Sequence, residues 1–321
     1  MNQTASRETS HSKPSQPQQP EDNVRLGIGL VVLFALTIPI IGSSVKVLGQ
    51  TLPILQITWT RFLLQIIIIG VAIALTSDAF RRPWPRPLWP LVLRGAVITV
   101  GSGLFYAALA VLPLVEASAI LFIQPLILTA LAALFLGERV GVPRWAAVVT
   151  GLAGAYIIIG PNFATTGWST LLPVGAAVCF AVASLITRAW AGAAGAFMFQ
   201  FITALTAISL LTFVMGFGQI AEIKQLALQW PTKTELYLLL FAGIGSTITN
   251  LMLVQGFRIA PPSTLAPFFY LEIVGATILG AVIFSQLPGP TTILGASIVI
   301  AAGLFVWWRE TRSAPARDTG D

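Results

Sequence analysis

One cysteine, one histidine and a charged fraction of only 9% are all that this chain of 321 residues offers to the usual chemistry of active sites. Each shortage closes off a class of function. The lone Cys179 excludes an intramolecular disulfide. Inside an apolar run it reads as a small packed hydrophobe. The lone His11 lies in the polar N-terminal stretch, so no apolar segment can hold a histidine-based metal site or a Ser-His dyad. No P-loop is present, which leaves a gradient or an exchange reaction as the energy source for any transport. Nothing in the sequence calls for a cofactor or a metal. Soluble domains carry about 25% charged residues. A chain that is 56% hydrophobic, with its apolar residues in long unbroken runs, is an all-α membrane protein that crosses the bilayer many times. Its net charge of +6 does not indicate nucleic acid, because the basic residues are scattered over loops and form no basic face.

Ten transmembrane spans are predicted, at about 26–48, 53–77, 88–110, 115–136, 143–160, 168–188, 194–216, 235–256, 262–284 and 291–308. Residues 1–25 and 309–321 read as polar cytoplasmic tails, and the first of these is expected to be disordered rather than a signal peptide. With both termini inside, the inside loops and tails hold Arg7, Lys13, Arg25, Arg81, Arg82, Arg86, Arg94, Arg139, Arg144, Arg188, Arg258, Arg309, Arg312 and Arg317. Lys46, Lys224 and Lys233 are then outside, the bias expected for a plasma-membrane (bacterial inner-membrane) protein.

Residues 266–272, Ala-Pro-Phe-Phe-Tyr-Leu-Glu, form the central stretch of the ninth span. Pro267 cannot donate a backbone hydrogen bond and should kink the helix. Glu272 is the deepest acid of any span. A charge at the bilayer centre costs roughly 2.5–3.5 kcal/mol, so this one should meet water or a partner. It is the candidate for proton coupling or for holding a cationic group of a solute. Phe268, Phe269 and Tyr270 suit stacking on a flat solute, although packing explains such aromatics as readily. On an α-helix Phe268 and Glu272 would share a face.

Other polar residues fall at helical spacing. Thr58, Arg61 and Gln65 make a stripe on the second span, and Thr99, Ser102 and Tyr106 another on the third. Arg61 reads either as a structural group, in an ion pair or on helix-end carbonyls, or as an anion clamp for a solute. Gln124, beside Pro125 in the fourth span, is a lining candidate. Asn250 in the eighth should face the bundle interior, as a contact for solute or as interhelical glue.

A shift of 148 residues lays Gly95 on Gly243, Pro113 on Pro261 and Gln124 on Glu272. Each half, 26–160 and 161–308, then holds five spans. Five is odd, so the second half enters the membrane from the opposite side. Inverted repeats with proline-broken helices meeting near the midplane are a pattern of secondary transporters.

In the order and spacing of several short elements the chain resembles the EamA type of the drug/metabolite transporter superfamily. These are Arg61-Phe62, Leu93-Arg94-Gly95, Tyr106 with Pro113, Pro125, Gly137-Glu138-Arg139, and Ala266-Pro267 with Tyr270-Leu271-Glu272. The group that takes up S-adenosylmethionine or riboflavin is nearest in character. The resemblance covers residues 26–308. It implies ten spans in two repeats, a cavity lined by spans one, three, four, six, eight and nine, and alternating access. It implies an amino acid, a vitamin or a nucleoside-like metabolite as solute, with protons or a counter-transported solute as partner. The sequence departs from its relatives at Phe269, where they carry an arginine. The expected function is that of a permease for a small organic metabolite. A membrane scaffold or lipid-handling protein is the alternative. An intramembrane enzyme is disfavoured, because no span carries a histidine, paired aspartates or a metal-ligand cluster.

Overall fold

Only a helix satisfies its own backbone in hydrocarbon, and the long apolar runs fold accordingly. The structure is a computed structural model and describes residues 21–76, 85–136, 141–190, 193–221, 228–260 and 262–313. Outside these lie the first 20 residues, the tail beyond 313, Arg81 and Arg82, Lys224 and the Gly137-Glu138-Arg139 helix end. The described residues form helices α1 (Glu21–Leu48), α2 (Ile54–Thr76), α3 (Trp89–Val111), α4 (Leu114–Leu121), α5 (Gln124–Phe135) and α6 (Val142–Thr166). The second half continues with α7 (Leu172–Ala189), α8 (Ala196–Ile220), α9 (Lys233–Ile259), α10 (Pro262–Leu265), α11 (Leu271–Phe284) and α12 (Pro290–Ser313). Among them are ten helical stretches long and apolar enough to span a membrane. The protein is a multi-pass membrane protein. The first helix begins at Glu21, inside the stretch expected to be disordered. Two acidic residues open it, at the end where the helix dipole favours negative charge.

Two spans are broken in mid-course. In the fourth, α4 stops at Leu121 and α5 starts at Gln124. The amides of Ile123 and Leu126 bond three residues back rather than four, to the carbonyls of Ile120 and Ile123, which tightens the chain around Pro125. In the ninth, α10 leads into a 3₁₀ turn, Ala266–Tyr270, with Pro267 near its start, before α11 resumes the α form. The expected kink is thus a short change of helix type. With three residues per turn, it breaks the shared face foreseen for Phe268 and Glu272.

The two halves pack as partners. Carrying α1–α6 onto α7–α12 exchanges the packed pairs α1·α9 and α3·α7, α2·α9 and α3·α8, and α1·α11 and α5·α7. The pairs α2·α8 and α6·α12 map onto themselves. The shift of 148 residues holds from α3 onward, where it carries Val142 onto Pro290, but the two leading helices need about 142, which carries Ile54 onto Ala196. Unequal connections absorb the difference. At the shorter shift Trp59 maps to Phe201 and Gly70 to Thr212. The contacts are matched in the same way: the Trp59 Nε1–H donates to Thr212 Oγ1 at 2.9 Å, and Gly70 abuts the Phe201 ring. In both contacts the higher number on α2 meets the lower on α8, so the pair is antiparallel. Mates packed antiparallel are consistent with an inverted repeat, whose two-fold axis would run across the helices.

In the α6·α12 pair, glycine backbone packs on glycine backbone. A Cβ on Gly154 would lie 2.9 Å from the Gly295 carbonyl oxygen, a backbone atom that no rotamer can move aside. Gly154→Ala should therefore destabilise the protein by about 1–3 kcal/mol through overpacking. The control is Gly160→Ala on the same helix, where nothing lies within 4 Å and no change is expected. Unfolding midpoints of the purified variants, followed by tryptophan fluorescence, measure the contrast.

Candidate functional site

The two broken spans meet at their breaks. Phe122, at the interruption between α4 and α5, lies against Tyr270, the last residue of the 3₁₀ turn, with ring centroids 5.3 Å apart and planes inclined by 31°. The shift of 148 carries Phe122 onto Tyr270, so a residue and its own repeat mate touch, and the contact sits on the pseudo-two-fold axis. Two residues further on stand Gln124, which opens α5, and Glu272, in the first turn of α11. Each is at the N-terminal end of a half-helix, where backbone amides and the helix dipole favour negative charge. Glu272 lies with Ile273, Ala276 and Gly280 on the buried face of α11 and is 8% exposed. It does not point into lipid. Gln124 is half-buried.

Arg61 is drawn into a node between helices. Its Nε–H donates to Ser246 Oγ of α9 at 3.2 Å, and an Nη1–H donates to Ser102 Oγ of α3 at 3.0 Å. Its guanidinium carbon stands 4.8 Å from the Phe62 ring centroid and 5.8 Å from that of Tyr106. Neither partner expected on structural grounds, a carboxylate or helix-end carbonyls, is what it meets among the described residues. Two hydroxyls from opposite halves take their place. Tyr106 is buried in a core cluster with Ile41, Leu109 and Ile273, against which Phe122 and Tyr270 also pack. The node and the broken spans thus adjoin through Tyr106.

Of the expected site residues, the structure brings Arg61, Ser102, Tyr106 and Tyr270 into this continuous region, with Gln124 and Glu272 at its half-helix ends. Phe268 and Phe269 part from Tyr270. They pack with Val31, Ala260 and Leu265 toward α1 and α9, and Phe269 meets Phe34 edge-on at 5.7 Å. The three aromatics therefore form no single stacking wall, because the 3₁₀ turn fans them apart. Asn250 bonds within its own helix, Nδ2 to the Ser246 carbonyl at 2.8 Å, rather than across to a neighbour.

Sequence reasoning did not single out Phe122, although the repeat points to it as the mate of Tyr270. Arg94, expected among the inside loops, lies within α3, where its guanidinium donates to Thr187 Oγ1 at 2.7 Å and to Thr203 Oγ1. Lys46, at the outer end of the first span, is buried. Its Nζ donates to the carbonyls of Leu109, at 3.0 Å, and Leu112, at the C-terminal end of α3, as a cation at a helix C-terminus should. Glu116 lies near Lys46 and accepts from Thr292 Oγ1 at 3.2 Å, which joins α4 to α12. No cluster of His, Cys, Asp and Glu suited to a metal occurs among the described residues.

The profile of the EamA-like transporter family matches residues 25–160. A riboflavin transporter of Rhizobium johnstonii is 32% identical over 234 residues, which cover 73% of this chain and 74% of that one. The chain belongs to the EamA-like transporter family. A second relative, an S-adenosylmethionine uptake transporter of Rickettsia bellii, is 26% identical over 90% of this chain and 95% of its own. A crystal structure shares the fold with a TM-score of 0.60, over 91% of this chain and 98% of that chain, at 18% identity. As an EamA member the protein is a transporter and not an enzyme.

Proposed function

We propose that the protein is a secondary transporter for a small organic metabolite. It works by alternating access across the plasma membrane, the inner membrane of a bacterium, with both termini in the cytoplasm. The observation that carries this reading is the meeting of two interrupted spans at the pseudo-two-fold axis, Phe122 on Tyr270, with a buried acid in the first turn beyond. Interrupted helices paired at a repeat axis supply half-helix ends and unpaired backbone groups where a polar solute needs them. The solute site comprises Tyr270, Tyr106, Ser102, Gln124 and Glu272. Asn250 stands one turn from Ser246, and Phe268 and Phe269 close the region on the α1 side. Glu272 couples transport to a proton or to a counter-moving solute. Arg61 mainly holds three helices in register. Relatives named for riboflavin and S-adenosylmethionine transport favour a flat or heteroaromatic metabolite.

Purified protein in liposomes, offered labelled riboflavin or S-adenosylmethionine with and without an imposed pH gradient, tests this. Saturable uptake of one of them, altered by the gradient, is the expected result. Binding of phospholipid without flux of either solute would favour a lipid-handling role instead.

A further inference from the structure

We propose that Gly303 is a positioning residue, a slot in α12 that seats the hydroxyl of Tyr270 and leaves only the ring face of that tyrosine to the solute. This deepens the transport reading above and rests on it. A Cβ built on Gly303 would overlap the Tyr270 hydroxyl oxygen and lie 3.0 Å from Cζ, so the side chain occupies the space that glycine leaves empty. The repeat supplies an independent comparison. At the shift of 148 the mate of Tyr270 is Phe122, and the mate of Gly303 is Ala155. Phe122 packs against the core cluster that contains Ala155. One half thus pairs a ring without a hydroxyl with a residue that has a methyl. The other pairs a ring that has the hydroxyl with a residue lacking the methyl. Close-packed interiors do not accommodate both groups at one place. The exchange keeps both rings seated on α6 and α12 while their other sides meet at the axis. Tyr270 differs from Phe122 in a group turned toward α12, so the two ring faces presented to the solute are chemically alike.

Four full-length proteins test this: wild type, Gly303→Ala, Tyr270→Phe and the double variant. The readouts are the thermal unfolding midpoint and the initial rate of riboflavin and S-adenosylmethionine uptake into proteoliposomes. Gly303→Ala should lower the midpoint and cut the rate about tenfold, because the added methyl displaces the ring. Tyr270→Phe only empties the slot, so it should lower the midpoint less than Gly303→Ala does. The double variant rebuilds the Phe–Ala pairing of the other half and should recover most of both losses. Two results would overturn the proposal: wild-type behaviour of Gly303→Ala, or a double variant as poor as Gly303→Ala. If wild-type protein moves neither probe, the transport reading fails by itself. The midpoints then decide the seating, since additive effects of the two substitutions refute it and rescue supports it.

Discussion

Glu272→Gln is expected to reduce solute flux to the level of empty liposomes while folded protein is recovered in full. The two side chains have nearly the same shape, so the buried face of α11 that Glu272 shares with Ile273, Ala276 and Gly280 keeps its packing. No described side chain donates a hydrogen bond to the carboxylate, so no partner there is orphaned by the change. An ionised acid at mid-membrane carries a cost of roughly 2.5–3.5 kcal/mol that a neutral amide largely avoids. The unfolding midpoint of the variant should therefore equal or exceed that of wild type. What disappears is the capacity to alternate between a charged and a neutral form, or to hold a cationic group. Flux and midpoint measured on the same preparation separate the two effects. Undiminished flux would remove Glu272 from the mechanism, and a collapsed midpoint would make it a structural residue.

Arg61→Ala should have the opposite profile, with little folded protein and no specific effect on solute affinity in what survives. The guanidinium bridges α2, α3 and α9 through Ser102 and Ser246. Hydrogen bonds to a charged group contribute about 1.5–3 kcal/mol each in water-soluble proteins, but interhelical polar contacts in membranes average nearer 0.6. Contacts with the Phe62 and Tyr106 rings add about 0.5–2 kcal/mol. Together these give a loss of roughly 2–4 kcal/mol, a large part of a typical stability of 5–15. Arg61→Lys keeps the charge but not the planar fork that reaches hydroxyls on two helices at once, so it should recover only part of the loss. The measurement is the denaturation midpoint beside the half-saturation constant for uptake. A stable Arg61→Ala protein with weakened affinity would move Arg61 from scaffold to solute contact.

The fold was largely readable in the sequence, because bilayer thickness constrains it so tightly. Apolar run length placed the ten crossings within a few residues, and the prolines marked both interruptions. The repeat was readable only in part. A single shift aligns α3–α6 with α9–α12, but unequal connections early in each half displace α1 and α2, and a rigid superposition of sequences cannot absorb them. The site was less accessible for two reasons. Pro267 announced a disturbance without saying whether the helix would bend or change type, and the 3₁₀ form is what sends Phe268 and Phe269 away from Tyr270. Lys46 showed in the sequence only as a cation at the outer end of the first span. Its burial depends on the end of α3 arriving beside it, a tertiary fact that no local pattern carries. Arg61 stood out as a cation within a span, yet hydroxyls on other helices were no more visible as its partners than a carboxylate would have been.

The α6·α12 contact has a mechanical corollary. Where glycine backbones rest on one another, no interposed side chain can yield, and the two helices can pivot but scarcely slide. Where Phe122 meets Tyr270 the halves instead touch through side chains, ring on ring. On the transport reading proposed above, an opening that pivots about the α6·α12 backbone contact disturbs less packing than one that slides along it.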